Sequence, residues 1–406
     1  MSSAKSYDFG AGRVSVGLVL DFAWGRGPFT ATDVMAATGL TRTTAIIAID
    51  KLVEARILEE LANARVVGEY RAGRPARRFQ LPPNLGVVVG IDSGDFHLTV
   101  AVSDLGGSPI AHRRTELNPS DSPERRRDTI LSEVDAALTA VGRSATDVLA
   151  VCAGVAAPVA RDGSTPPHPY GFWERTNPGL TEALQARFSQ VLVKNDAQLA
   201  AAAELHAGQA AGCSDFVALL AGRRLGAGVV IDGHLLHGAH GGVGEMKAFD
   251  YVLGVGTRRG LGSIAESRAA AMLESGDLED EGVFSRLFPE DVDARHLLKL
   301  ASSGDPDATV LADQLAHSLA RIVGALSSMF DPSRVIICGA VADEIDPILD
   351  TARSVLAEES HMPAPELVRS RLGADVVIRG AIITALDEVR GAVLPHLARR
   401  RIEAPA

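Results

Sequence analysis

Through the first eighty positions the apolar residues recur with a helical period. In "RVSVGLVLDFAWGRG", Val14, Leu18 and Phe22, with Val16, Val19 and Leu20, fall at helical spacing before Gly25 and Gly27 end the run. Thr30 can cap a second, shorter helix over "ATDVMAATG", which Gly39 stops in the left-handed conformation. Thr41 caps a third, "LTRTTAIIAIDKLVEARIL", whose inward stripe is Ala45, Ile49, Leu52 and Val53. Arg42, Thr43 and Thr44 are left projecting at its N-terminus. The stretch "EELANARVVGEYRAGRPARRFQL" then reads as two short strands joined by a hairpin.

Beyond Pro82 and Pro83 the pattern changes to apolar strands alternating with helices. "GVVVGIDSGDFHLTVAVSDLGG" reads as two strands around the tight turn Asp92-Ser93-Gly94-Asp95, and "DVLAVCAGVAAPV" as a strand and loop. "FWERTNPGLTEALQARFSQVLVKNDAQLAAAAELHAG" predicts a helix, a strand and a helix headed by Asn195 and Asp196. "DFVALLAGRRLGAGVVIDG" is a strand, a glycine-rich turn and a strand. The final third predicts a long helix from Asp307 to Phe330, a strand "RVIICGAVA", a helix, a strand "ADVVIR" and a last helix from Gly380. Such alternation is the mark of α/β architecture.

With 406 residues, 46% apolar and 22% charged, the chain has material for two or three domains with sizeable cores. It contains no uncharged apolar run of about 18 residues, and "MSSAKSYDFGAGR" lacks the apolar core of a signal peptide, so a cytoplasmic protein without membrane partners is expected. Cys152, Cys213 and Cys338 lie far apart among apolar residues, which suits reduced core thiols rather than disulfides or a metal cluster.

The net charge of -11 disfavours nucleic acid only until it is divided. Residues 1 to 83 hold 11 Lys and Arg against 8 Asp and Glu, a balance of +3, while the remainder holds 29 against 43, a balance of -14. Arg65, Arg71, Arg74, Arg77 and Arg78 face only Glu69 in the expected hairpin. That is the composition of the wing of a winged helix-turn-helix, whose arginines meet phosphates or a narrow minor groove. Arg42, Thr43 and Thr44 would then read base edges from the third helix. The plainer alternative is a helical bundle with a solvated basic loop.

The order of these pieces resembles the ROK family (repressors, open reading frames and kinases), through "GIDSGDFHLTVAVSDLGG", "VKNDAQLAAAAE", "LGAGVVIDGHLLHGAHGGVGE", "DPSRVIICGAVA", "RGAIITALDEV" and the Gly73-Arg74-Pro75 wing. The resemblance implies a winged helix-turn-helix over residues 1–82 ahead of a two-lobed, actin-like ATPase domain of sugar-kinase type. Its first lobe would span 83–194, completed by a C-terminal helix over 380–400. Its second would span 195–379 and carry dimerisation.

The resemblance also marks departures. Family kinases carry a first phosphate loop resembling D-x-G-G-T-K, where this chain has Asp92-Ser93-Gly94-Asp95-Phe96-His97. Asp95 there would repel a phosphate. The second loop resembles G-T-G-I-G, where this chain has Gly222-Arg223-Arg224-Leu225-Gly226, and the adenosine-side Gly-Gly becomes Gly339-Ala340. Arg223 and Arg224 either hold an anion or fill the nucleotide cleft, bridging to Asp95. On the sugar side, Asn195 and Asp196 match the pair that bonds sugar hydroxyls, the Asp being the general base in kinases. Asp196 reads equally as a helix N-cap. Glu245 matches a sugar-binding glutamate or is a solvated loop residue; Ala248 stands where the family has histidine. "KAFDYVLGVGTRRGLGSIAE" contains no Cys or His for the family's zinc, and His234, His237 and His240 lack the remaining ligands of a metal site. A further sugar-binding glutamate falls near Ser263 or Glu266.

These features point to a DNA-binding regulator, usually a repressor, that dimerises or forms a dimer of dimers on a palindromic double-stranded operator. It would sense a sugar or related metabolite without phosphorylating it and without a cofactor. An ATP-dependent sugar kinase with an accessory DNA-binding domain is the enzyme alternative, and a purely structural role for a dead kinase fold is the third.

Overall fold

The computed structural model describes residues 11–62, 76–251, 259–276, 278, 282–359 and 363–403. Arg65, Arg71 and Arg74, with the rest of the stretch expected to turn the hairpin, lie outside them.

The N-terminal unit is built on three helices, α1 (Ala11–Ala23), α2 (Ala31–Thr38) and α3 (Arg42–Glu54). Local signals fix their ends. The Thr30 hydroxyl accepts from the Asp33 N–H while Asp33 accepts from the Thr30 N–H at 2.8 Å, a reciprocal cap. Gly39, at φ 70°, closes α2, and Thr41 caps α3. The expected inward stripe of α3 is buried at Ala45, Ile49 and Leu52, with Ala48 joining it and Val53 only half-buried. A small antiparallel sheet ordered β1-β3-β2 completes the unit, from β1 (Phe29–Thr30), β2 (Glu59–Leu61) and β3 (Arg78–Gln80). Strands β2 and β3 are the two arms of the basic hairpin.

The rest of the chain folds as two lobes, each around a five-stranded sheet. The first holds β4 (Val87–Ser93), β5 (His97–Ser103), β6 (Pro109–Glu116), β7 (Val148–Val155) and β8 (Val191–Asn195), ordered β6-β5-β4-β7-β8. Strands β4, β7 and β8 run parallel, and β5 and β6 antiparallel. Helices α4 (Pro123–Ala140), α5 (Phe172–Thr176) and α6 (Leu180–Gln185) belong to this lobe, and α7 (Asp196–Ala207) leads out of it. The second sheet, from β9 (Phe216–Leu220), β10 (Gly226–Ile231), β11 (His234–Leu235), β12 (Arg334–Cys338) and β13 (Glu366–Arg369), is ordered β11-β10-β9-β12-β13 and repeats the same topology. Around it lie α8 (Leu261–Ser275), α9 (Ala294–Ser302), α10 (Pro306–Phe330) and α11 (Asp346–Glu359).

Two helices close the chain, α12 (Val376–Glu388) and α13 (Leu394–Glu403), joined by a π-helical turn over Val389–Val393. The strand expected at "ADVVIR" is a misreading: Val376, Val377 and Ile378 open α12, and the last strand is β13 just before. A β-branched run reads as a strand, but here it is buried on several sides between α7, β4 and β7, and packing overrides propensity. The close approach of α12 and α7 depends on Gly380, where a Cβ would stand 2.0 Å from the Leu199 carbonyl oxygen. Among the described residues no helix is long and apolar enough to cross a membrane.

Candidate functional site

Two surfaces carry the expected chemistry. On the first, Arg42 and Thr43 are exposed at the start of α3. Thr44 is drawn inward, its hydroxyl 2.8 Å from that of Thr41. Ile47, one turn on from Thr43, is 52% exposed, an apolar residue on the outer face that the inward stripe of α3 gave no reason to expect there. Arg78 is exposed at the head of β3, but Arg77 is engaged: it meets Asp50 of α3 at 2.9 Å and Glu60 of β2 at 2.8 Å, and stacks over Phe79. Arg77 thus ties the hairpin to the third helix. Arg71 and Arg74 fall outside the described residues.

The second surface is the cleft between the lobes, about 720 Å³ in volume. Its floor is the junction of β8 and α7. Asn195, not Asp196, is the cap of α7: its side-chain oxygen accepts from the Gln198 N–H at 3.1 Å and its Nδ2 donates to the Ala157 carbonyl at 3.1 Å. Asp196 is the first helical residue, half-buried, with Oδ1 accepting from the Ala197 N–H. Burial, the charge of Asp92 and that of Glu245 push the Asp196 carboxyl up to about 7. A group so placed can both donate to and accept from a sugar hydroxyl near neutral pH. Glu245 follows Gly244 into the same cleft, where its backbone bridges to Gly226 of β10.

The two loops that would hold a nucleotide are the β4–β5 and β9–β10 turns. In the first, buried Asp92 meets the His97 Nε2 at 3.1 Å. Burial opposes the charged imidazolium, but the hydrogen bond and charge of Asp92 outweigh it and raise the His97 pKa. Gly94 leaves room for this contact, because a Cβ there would stand 2.3 Å from the His97 ring and push it off Asp92. Fully buried Arg126 of α4 holds the turn by donating to the Gly94 and Asp95 carbonyls.

The expected bridge from the paired arginines to Asp95 is absent, since Asp95 is taken by Arg175 of α5 at 3.1 Å. Arg223 instead stacks over Phe96 at 4.4 Å and faces Glu266 at 3.7 Å, and Arg224 stacks over Phe172 at 3.6 Å. Both arginines therefore reach from the second lobe to aromatic faces of the first. Glu266 and Ser263, the alternative sugar-binding positions, lie on α8, where Ser263 is bonded by Arg259. His168, Tyr170, Phe172 and Trp173 form an aromatic wall of the cleft that the sequence reasoning missed. Its signal was the clustering of three aromatic residues and a histidine in six positions of a chain only 4% aromatic. Among the described residues no group of His, Cys, Asp and Glu is arranged to hold a metal.

Two equivalent sheets facing across such a cleft define the actin-like fold of the sugar kinases. The ROK family model matches residues 88–388, and the chain belongs to the ROK family. It is 28% identical over 319 residues to a glucokinase of Streptomyces coelicolor, covering 73% of this chain and 96% of that protein. To the DNA-binding transcriptional dual regulator NagC of Escherichia coli K12 it is 23% identical over 387 residues, 91% of this chain and 92% of the regulator. Among solved structures, a ROK family transcriptional regulator homologous to the E. coli Mlc protein superposes with a TM-score of 0.73 at 20% identity, covering 96% of this chain and 99% of the other. A ROK glucokinase from Streptomyces griseus, in complex with glucose and AMPPNP, gives 0.59 at 25% identity over 74% of this chain and 99% of the enzyme.

Proposed function

We propose that the protein is a sugar-responsive transcriptional repressor. Residues 1–82 form a winged helix-turn-helix, residues 83–194 with helix 380–400 the first lobe, and residues 195–379 the second lobe and its dimer contacts. As a dimer, or a dimer of dimers, it binds a palindromic operator in the cytoplasm, with Arg42, Thr43 and Ile47 toward the major groove and Arg71, Arg74 and Arg78 toward the backbone or minor groove. Asn195, Asp196 and Glu245 receive a carbohydrate, which is not phosphorylated because Arg223 and Arg224 fill the nucleotide side.

The observation that carries this reading is the extent of the likeness: the regulators align with nearly the whole chain, whereas the glucokinases account for about three quarters of it. Asp92, Asn195, Asp196 and Glu245 favour the second reading, a sugar kinase.

Footprinting on the gene's own upstream region, followed by titration at several salt concentrations, separates the readings. Arg42→Ala should weaken specific binding by about 1–3 kcal/mol, and Arg74→Ala should weaken binding to all sequences and flatten the salt dependence. Magnesium ATP with glucose, N-acetylglucosamine, mannose or xylose should yield no ADP. Turnover that disappears in Asp196→Asn would establish the kinase instead.

A further inference from the structure

A second cleft, of about 460 Å³, lies where the N-terminal unit meets the first lobe. One wall is the end of α1, Trp24 and Gly25; another is the β5–β6 turn; the third is a stripe along α12. That stripe recurs every three or four residues, from Arg379 through Ile382, Ile383 and Leu386 to Arg390, so it forms one continuous face. The middle is apolar and both ends are polar, with Asp375 beside Arg379 at one end and Asp387, which faces His206 and Arg390, at the other. From Arg379 to Leu386 the helix rises about 10 Å, the length of a small ring with a short chain.

The polar ends differ. Arg390 is held across the domain boundary by Asp21 of α1 at 2.9 Å, and His112 faces Asp375 at 3.8 Å. Arg379 has no ion pair or hydrogen bond with another described residue, and it stands at the end of the apolar floor. A guanidinium in that place is matched by a carboxylate, and the isoleucine and leucine floor beside the Trp24 indole by a hydrocarbon ring.

We propose that this cleft is a second small-molecule site, for an aryl-alkyl carboxylate whose ring lies on Ile382, Ile383 and Leu386 and whose carboxylate meets Arg379. The site is separate from the sugar cleft but joined to it by a single helix. α7 begins at Asn195-Asp196 in the sugar cleft and ends at His206 and Ala207 in this one. Beyond the π-helical turn, Ala398 of α13 is buried in the core of the N-terminal unit, 1% exposed. A ligand that bridges Trp24 and α12 therefore restrains the junction on which the third helix is carried, and by linkage each site alters the other's affinity.

The chain has two tryptophans, one in each cleft, Trp24 here and Trp173 in the sugar cleft. In Trp173→Phe protein, fluorescence therefore reports this junction alone. Titration with benzoate, phenylacetate and 3-phenylpropionate at millimolar concentrations should give a saturable change for at least one acid and none for its amide. Arg379→Gln should weaken binding about tenfold, and Ala207→Phe, which places a ring in the cleft from an exposed helix end, should abolish it. The acid should also change retention of operator DNA by the unsubstituted protein. No saturable response to any of the three acids, or one that persists unchanged in both Arg379→Gln and Ala207→Phe proteins folded by circular dichroism, overturns the proposal. The sugar response is measured separately and is unaffected by that outcome.

Discussion

The β4–β5 and β9–β10 hairpins occupy equivalent places in two sheets of one topology, yet they solve opposite electrostatic problems. The first is acidic, and its charges are settled within its own lobe: Asp92 by His97, Asp95 by Arg175, and the turn carbonyls by Arg126. The second is basic, and its arginines find aromatic faces across the cleft. Topology demands only a tight turn at each place. What the turn can bind is decided by side chains from elsewhere, and here both turns are already occupied.

The largest test of that contrast removes the arginines. Arg223→Thr with Arg224→Gly restores a small hydroxyl and a bare backbone at the second turn while deleting two cation–π contacts. Stability should fall by about 1–2 kcal/mol, measured by denaturant unfolding, because each exposed contact contributes about 0.5–1 kcal/mol. The variant should be retained on immobilised ATP, and the parent protein should not. Continued exclusion of nucleotide would mean that Asp95 and Phe96, rather than the arginines, close the cleft.

The features legible in the chain were the local ones. Thr30, Gly39 and Thr41 act within three or four residues of themselves, so the helices they bound could be read directly, as could both hairpin turns. What escaped was set by distant partners. Asp95 pairs with a residue 80 positions away, and no spacing rule marks Arg175 as its counterion. The strand expected over "ADVVIR" failed because its β-branched run, Val376, Val377 and Ile378, is buried on successive positions where α12 meets α7 and the first sheet, so no helical period shows within those six residues. The aromatic wall at His168 to Trp173 was visible as composition but not as a site, because only the fold brings it opposite Asp196.

The contrast also has a pH dependence, which should be the next effect in size. Asp196 holds its proton up to about 7, against an ordinary 3.8, so between those values the folded protein retains a proton that the unfolded chain has lost. Stability from this group is therefore lost as pH rises through that window. His97 acts in the same direction: its raised pKa gives stability at low pH that disappears as pH climbs through the folded value. Asp196→Asn should leave stability near about pH 4 unchanged and raise it at about pH 8 by about 1 kcal/mol, a value discounted for a half-buried carboxylate. Chemical unfolding at a series of pH values checks this; an unchanged slope would show that the acidic floor is not strained.

The smallest effect distinguishes the two possible partners of Asp95. Its pair with Arg175 leaves each side chain a little over a fifth exposed, at 22% and 23%, so solvent screens much of the attraction. Arg175 also lies over the Phe172 ring at 5.4 Å, the same ring that receives Arg224. Arg175→Gln alone therefore mixes two losses. A double-mutant cycle with Asp95→Asn isolates the ion pair, and its coupling energy should be about 0.5–1 kcal/mol. The same cycle between Arg223 and Asp95 should give a value near zero, because Arg223 is committed to Phe96 and Glu266. If the second coupling were the larger, charge attraction rather than aromatic stacking would hold the lobes together, and the first hairpin would not be settled within its own lobe.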